Sequence, residues 1–547
     1  MSATLALTWS EPELRNLPGG IRLVRTAAPT PAFWGLWRDP QSKQSLLAQG
    51  YAVRKHPKDG WVVSHESIPC KAKEDAEEPA PKPIKLTAAE KAGLFDYQIP
   101  HVAHLASVLN TRGAALDGSD LGTGKTYSAL AVARALRVKP LVVTPGTTCH
   151  PDWRRAAEHL GVQLELTNYE KIRRGNTPWV EDAVTNQRQR YFLWNEGIKL
   201  IIWEEAHACK GLTTSNAQLM IDAKKQGIPQ LLVSGTIAET PADMRATGFA
   251  LGLHNLKDFD DWVSAHGCFY GRYGWTFGAI PEDTERLHRS IFPTRGGRIV
   301  KSELKGVFAD TLIDTKVVEV EGNYEKHHHA LRAALQALRD RTVQRTSTER
   351  MELLNAANDA WQRCELLKVP ALHQLILEGI ENRHSVFVTV HFRATAVALR
   401  TLLKGMPVAM YTGDQKPAER VEGLKEFQAN RIKVLIATEA CGGQSLSAHD
   451  IHGGHPRMAL HLPTHSGRVT KQKVGRVDRA GSKSNSTQYF IYADTEQERR
   501  IAAVSSARWR SIRGINDGID RLPDNFSEID PFNEAVDAGE IEGAPEE

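Results

Sequence analysis

The sequence predicts an α/β protein in which a small N-terminal accessory module precedes two tandem parallel-sheet lobes separated by a helical insertion. Three observations carry this expectation. Beyond residue 90, short apolar runs alternate with helical patterns in two separate series. Short buried runs interleaved with helices are the pattern of parallel sheets covered on both faces. Between the series, Tyr324 to Lys368 is rich in Ala, Leu, Arg and Glu and contains no Pro or Gly, which predicts long helix. A glycine-rich loop also joins the first apolar run to the first helix of its series.

In chain order, residues 1–70 form the accessory module, with Trp9, Trp34, Trp37 and Trp61 as its expected small core and a strand-like piece at Trp61-Val62-Val63. Residues 71–90 are charged, Pro-bearing and poor in large apolar side chains, and read as a linker. The first lobe spans 91–255, with strands expected at Ala114–Gly118, Pro140–Pro145, Lys199–Glu204 and Gln230–Gly235. Residues 256–368 are the interlobe and helical insertion. The second lobe, 369–520, has strands expected at Ser385–Val390, Val408–Gly413, Lys433–Glu439, Met458–Pro463 and Gln488–Ala493. From Pro523 to Glu547 there are nine acidic residues and no Lys or Arg, so 521–547 reads as an acidic, disordered tail. The tail and the N-terminal module are the places where a protein partner is expected.

Composition narrows the class. Hydrophobic residues are 41% and charged residues 24% of the 547, ordinary for a globular protein. No apolar run approaches the roughly 20 residues a membrane helix needs. Met1 to Trp9 lacks the pattern of a secretory signal, and the six cysteines are scattered singly, as in reduced cytosolic thiols. Formal net charge is only +4, but Ser466 to Lys483 holds six Lys/Arg against one Asp.

The strongest chemical signal is Ser119-Asp120-Leu121-Gly122-Thr123-Gly124-Lys125-Thr126, between the run Ala114–Gly118 and the helix Tyr127–Leu136. A phosphate loop needs that context. Gly122, Thr123 and Gly124 let backbone N–H groups approach phosphate oxygens at a helix start. Lys125 would reach the β- and γ-phosphates of ATP, and the Thr126 hydroxyl would hold Mg²⁺. The run Leu200-Ile201-Ile202-Trp203 ends in Glu204-Glu205-Ala206-His207. Carboxylates at that edge of a sheet can hold Mg²⁺ (Glu204) and activate the attacking water (Glu205).

With these residues in place, the order of segments resembles superfamily 2 helicases and translocases, and within them the Swi/Snf-like subgroup. Tyr97-Gln98 looks like that family's adenine-reading motif, so Gln98 joins the expected ATP-binding residues. Val142-Val143-Thr144-Pro145, followed by Trp153, resembles the motif that touches one nucleic-acid strand, and Thr167-Asn168-Tyr169-Glu170 the next segment. Glu205-Ala206-His207 with Lys210 resembles a DEAH-type box, and Ser234-Gly235-Thr236 the coupling motif between boxes. Arg363, Glu365 and Lys368, then Ser385–Val388, resemble the opening of the second lobe. Thr438 with Gly442-Gly443-Gln444-Ser445-Leu446 resembles the motif linking nucleic acid to ATP. Gln472 to Gly481 fits QxxGRxxRxG closely. Arg476 and Arg479, three apart on a helix, would share a face and point into the ATP cleft as arginine fingers.

The resemblance implies two RecA-like lobes and a DNA-stimulated ATPase that uses Mg²⁺ and translocates on duplex DNA with little sequence specificity. RNA stays open as the nucleic-acid partner. In its terms, the catalytic residues are Lys125, Glu204, Glu205, Arg476 and Arg479. The coupling residues are His207, Ser234, Gly235, Thr236, Gln472 and Gly475, and the nucleic-acid contacts are Thr144, Pro145, Thr438 and Gly443. It is closest to compact phage or bacterial members, which would place the chain in a prokaryotic or phage-infected cytoplasm. Two departures stand out. Glu204 replaces the family's Asp, and Ile237 stands where Pro usually follows Ser-Gly-Thr. The alternatives are a strand-separating DNA or RNA helicase, and a weakly hydrolytic nucleic-acid-binding scaffold.

Overall fold

The computed structural model describes residues 23–25, 33–35, 51–56, 60–65, 79–184, 190–211, 213–271, 274–278, 281–304, 306–340, 345–442 and 446–519. Gly443, the acidic tail 521–547 and most of the N-terminal module lie outside them. Of that module, Leu23–Arg25, Phe33–Gly35, Tyr51–His56 and Gly60–His65 make an antiparallel sheet in the order first, second, fourth, third.

The first lobe opens with helix α1 (Gln98–Arg112), stopped by Gly113 at φ 70°. Strand β1 (Ala114–Asp117) follows, then the glycine-rich loop and α2 (Lys125–Ala135), which starts directly after Gly124 at φ 86°. The remaining strands are β2 (Leu141–Thr144), β3 (Glu165–Asn168), β4 (Ile201–Glu204), β5 (Gln230–Val233) and β6 (Gly296–Gly297). They form one parallel sheet in the order β6-β1-β5-β4-β2-β3. Register fixes what matters for chemistry: Asp117 lies opposite Val233, and Val233 opposite Glu204. The loops after β1, β5 and β4 therefore leave the same edge side by side. β1, β2 and β5 are buried along their whole length, with apolar residues facing helices on both sides.

Between the lobes, α3 (Pro281–Ile291) precedes β6. β6 needs glycine, since a Cβ on Gly296 would lie 2.5 Å from the Leu116 carbonyl oxygen. The second sheet begins earlier than expected, with β7 (Thr311–Val318), so the stretch 256–368 contributes an edge strand to each lobe. The long helix expected from Tyr324 to Lys368 is instead two, α4 (Tyr324–Arg339) and α5 (Ser347–Leu366), packed together through Leu331, Ala334, Ala357 and Ala360. The reason is local: Thr346 and Glu349 form a capping box that starts a new helix.

Strands β8 (Ser385–Val390), β9 (Val408–Tyr411), β10 (Val434–Thr438), β11 (Arg457–His461) and β12 (Ser486–Ala493) complete a second parallel sheet, ordered β7-β12-β11-β8-β10-β9. Between β11 and β12 lies α6 (Gly467–Val474), capped by the Ser466 hydroxyl. After β12, α7 (Glu496–Asp517) starts against the second lobe with Ile501, Ala502 and Trp509, and ends with Ile515 buried in the first lobe's core. No helix of the described residues is long and apolar enough to cross a membrane.

Candidate active site

The glycine-rich loop leaves β1 beside the acidic turn of β4. The Lys125 ammonium reaches back across the loop to the carbonyl oxygens of Ser119 and Asp120, both at 3.0 Å. Burial lowers its pKa, while Asp117, Glu205 and Asp120 oppose the shift. Gln98 is buried, and its Nε2 donates to Thr123 O at 3.3 Å and Gly124 O at 3.2 Å, while its Oε1 accepts from the Phe95 N–H. The residue expected to read adenine thus braces the glycine-rich loop. Thr126 is at the second position of α2, beside Lys125.

Glu205 adopts φ 50°, unusual for a residue with a side chain, where the chain turns sharply out of the strand. That turn brings His207 back so that Nδ1 lies 3.3 Å from Glu205 Oε2 and 3.0 Å from Ser234 Oγ. Burial pushes the Glu204 carboxyl up to about 8, with neighbouring Glu205 adding to the shift and Lys125 opposing it. Burial also raises Glu205. The Glu204 Oε2 is buried and accepts no well-formed hydrogen bond, while the Glu205 Oε2 faces the His207 ring. A carboxylate pair with an open oxygen on Glu204, beside a lysine and a glycine-rich loop, suits a cation brought in with a phosphate ligand. The magnesium expected with ATP fits this set.

The second lobe closes on the same loop. A Cβ on Gly122 would stand 3.1 Å from the Arg479 Cα, and the Ala480 N–H donates to Gly122 O at 3.3 Å. Arg476 and Arg479 do not lie on α6, which ends at Val474 with Gly475 as its cap; they occupy the turn beyond it. Their guanidinium groups still converge, donating to Leu446 O at 3.4 and 3.2 Å. Burial, then the neighbouring Arg479, lowers the Arg476 guanidinium to about 9, against the pull of Glu205. Gln472 is buried in α6.

The segment Ser234-Gly235-Thr236 touches both lobes. Ser234 meets His207, and Gly235 O accepts from Lys471 Nζ at 3.1 Å and from Asn516 Nδ2 at 2.8 Å. Ile237 is fully buried in the first lobe's core, where its apolar side chain packs. Asp120 is ringed by Arg298 at 3.2 Å, Lys471 at 3.5 Å and the Lys301 N–H at 3.1 Å, and Lys301 also pairs with Asp478 at 2.7 Å. Sequence reading missed these cations. The only signal for Lys471 was its place in the basic run.

Of the residues expected to contact nucleic acid, Thr144 leaves the sheet beside Glu204, since Val143 lies opposite Trp203 in the paired strands. Thr144 is buried, its hydroxyl bonded to Gly146 O, Thr167 O and His150 Nε2, so it shapes its loop. Pro145 follows it, half-buried, and Thr438 ends β10, also buried. Cys209 is buried and its thiol is pushed up to about 12 by burial, which suits packing rather than nucleophilic work.

Comparison with known proteins shows that residues 367–481 are similar to the family described as the helicase conserved C-terminal domain. The chain is 28% identical over 463 residues to "Putative ATP-dependent RNA helicase L364" of Acanthamoeba polyphaga mimivirus, covering 79% of this chain and 85% of the relative. Among solved structures it is similar to Saccharomyces cerevisiae Dbp5 bound to RNA and ADP BeF3, at 15% identity and a TM-score of 0.41, covering 80% of this chain and 94% of that one. It is also similar to the Sulfolobus solfataricus SWI2/SNF2 ATPase core in complex with dsDNA, at 14% identity and a TM-score of 0.33, covering 80% and 100%.

Proposed function

We propose that this chain, an ATP-hydrolysing enzyme of the helicase and translocase kind, is a DNA-stimulated motor of the Swi/Snf-like subgroup that moves along duplex DNA with little sequence preference. One observation carries the reading: the arginine turn of the second lobe packs onto the glycine-rich loop of the first, beside two adjacent carboxylates of which Glu204 keeps an open buried oxygen. Lys125 releases its loop carbonyls to take the β- and γ-phosphates. Thr126 and Glu204 would hold Mg²⁺, which offsets phosphate charge. Glu205, its basicity raised by burial, accepts the proton of the attacking water. Arg476 and Arg479 offer planar forks to the charge that spreads over the phosphoryl oxygens. The contacts of Gly235 and Glu239 with the second lobe give hydrolysis a route to lobe movement: Glu239 Oε1 accepts from Ser466 Oγ at 2.9 Å and from the Arg468 N–H at 2.8 Å. Duplex DNA as the track rests on the motif resemblance.

The mimivirus relative's name favours a second reading, an RNA helicase that separates strands. ATPase turnover across single-stranded DNA, duplex DNA, forked DNA and RNA, with a strand-displacement assay on the same preparation, separates the two. Stimulation by intact duplex DNA without displacement supports the translocase. Stimulation by RNA with displacement overturns it.

A further inference from the structure

The glycine-rich loop is held along one side by the chain that continues from β6. The Gly118 N–H donates to Gly297 O and the Asp120 N–H to Ile299 O, both at 3.0 Å, and the Ile299 N–H donates to Ser119 Oγ at 2.9 Å. These bonds fix residues 118–120 within the first lobe. The Asp120 carboxylate adds a link to the second. Its Oδ1 lies 3.2 Å from Arg298 and 3.5 Å from Lys471 on α6, and its Oδ2 accepts from the Lys301 N–H. One loop oxygen is therefore shared between a first-lobe and a second-lobe cation. Lys471 also donates to Gly235 O at 3.1 Å, and Arg298 goes on to pair with Asp517 at the end of α7. Burial works against a charged Asp120, but Lys471 and Arg298 hold its carboxyl well below the usual carboxylate range.

The main chain of Asp120 faces the site as well, since its carbonyl oxygen accepts from Lys125 Nζ. One residue thus holds Lys125 by its backbone and Lys471 by its side chain. Exposed ion pairs contribute little, and buried ones rarely outdo apolar groups of the same volume. With side chains only 12% and 17% exposed, the Lys471–Asp120 pair is of the second kind. What a buried pair across two lobes supplies is a contact that exists only while the lobes are together. α6 ends at Val474 and leads into the turn of Arg476 and Arg479, so the element that delivers the arginines also delivers Lys471. We propose that Lys471 and Asp120 are positioning residues through which closing the second lobe sets the glycine-rich loop for catalysis, with Arg298 holding the carboxylate ready. This rests on the reading of that loop as the site of the ATP phosphates.

The test measures steady-state ATPase of the full chain with saturating duplex DNA or RNA, for Lys471→Met, Asp120→Asn, the double variant and Lys471→Arg. Both Lys471→Met and Asp120→Asn should lower kcat about tenfold while the ATP KM stays within about threefold, since ATP meets the loop before the lobes close. The double variant should lose little beyond either single one, because both changes break the same contact. Lys471→Arg keeps the cation and should retain most of kcat. Nucleic-acid affinity by anisotropy should stay within about threefold in every variant. Losses that multiply in the double variant, a raised KM with normal kcat, a Lys471→Arg as impaired as Lys471→Met, loss traced to weaker nucleic-acid binding, or normal turnover in both single variants would overturn the proposal. If Asp120→Asn fails to fold, Lys471→Met beside Lys471→Arg carries the test. Misfolding of both Asp120→Asn and Lys471→Met would make the pair a folding element and overturn it equally. A wild type that hydrolyses no ATP sinks the reading of the loop itself, whereas an active wild type with unaffected variants sinks only the positioning role.

Discussion

Glu204 and Glu205 are adjacent and half-buried at the end of β4, and two like charges there are costly unless a cation arrives. In the folded protein Glu204 keeps its proton up to about pH 8, whereas its ordinary value is 4.5. The folded state thus binds more protons between these values, and stability should fall as pH rises through that window. Urea midpoints across the window should show the fall, and Glu204→Gln should flatten it. Glu204→Asp, which shortens the stem by one methylene, should change turnover by about tenfold or less, roughly 1.4 kcal/mol of barrier. Glu205→Gln should remove most turnover while ATP binding persists, because an amide cannot take the water's proton. Lys125→Ala should abolish turnover with the circular dichroism spectrum unchanged. Near-normal ATPase in that variant would remove the phosphate-loop assignment.

The turn after α6 and the helix α7 are elements through which the second lobe touches the first. Arg476→Ala and Arg479→Ala should lower kcat more than they raise KM, because their contacts strengthen as charge redistributes. Normal turnover with weakened DNA binding in both would make them phosphate-backbone contacts. The side chain of Ile515 is wholly buried in the first lobe although its helix begins on the second. Its truncation in Ile515→Ala should cost about 3 kcal/mol by removing buried surface and leaving a cavity. Urea unfolding measures the loss, and an unchanged midpoint would show that α7 does not brace the lobes. The capping box at Thr346 was legible in the sequence as Thr-x-x-Glu, yet the absence of Pro and Gly over the whole stretch masked it. Composition averages over a window, while a cap acts at one residue.

For the whole molecule, a motor that steps must release each base pair it passes, so contacts to phosphates serve it better than contacts to bases. DNA affinity should therefore fall steeply between about 50 and 200 mM salt and vary little among duplex sequences. Strong preference for one sequence at physiological salt would point to a site-specific binder instead.

The sequence by itself determined nine of the twelve strands of the two sheets to within about two residues, but not β3, β6 or β7, and it also marked the loop and the acidic turn. Both are written locally, as apolar runs and as glycine, lysine and carboxylate spacing. Ala114–Asp117, Gly122–Lys125 and Ile201–Glu204 could each be read without knowing what lay beside them. The tertiary structure alone decided which distant groups meet. Lys471 and Asn516 reach Gly235 across 236 and 281 residues, and Arg298 joins Asp120 to Asp517. Glycines 296 and 297 carry no apolar periodicity, and become a strand only because β1 offers an open edge that a backbone without side chains can approach. The hydrogen bonds from the Gln98 amide to the carbonyl oxygens of Thr123 and Gly124 likewise follow from the packing of α1 against the loop. Strand order and lobe closure bring these partners together, and neither has a period in the sequence.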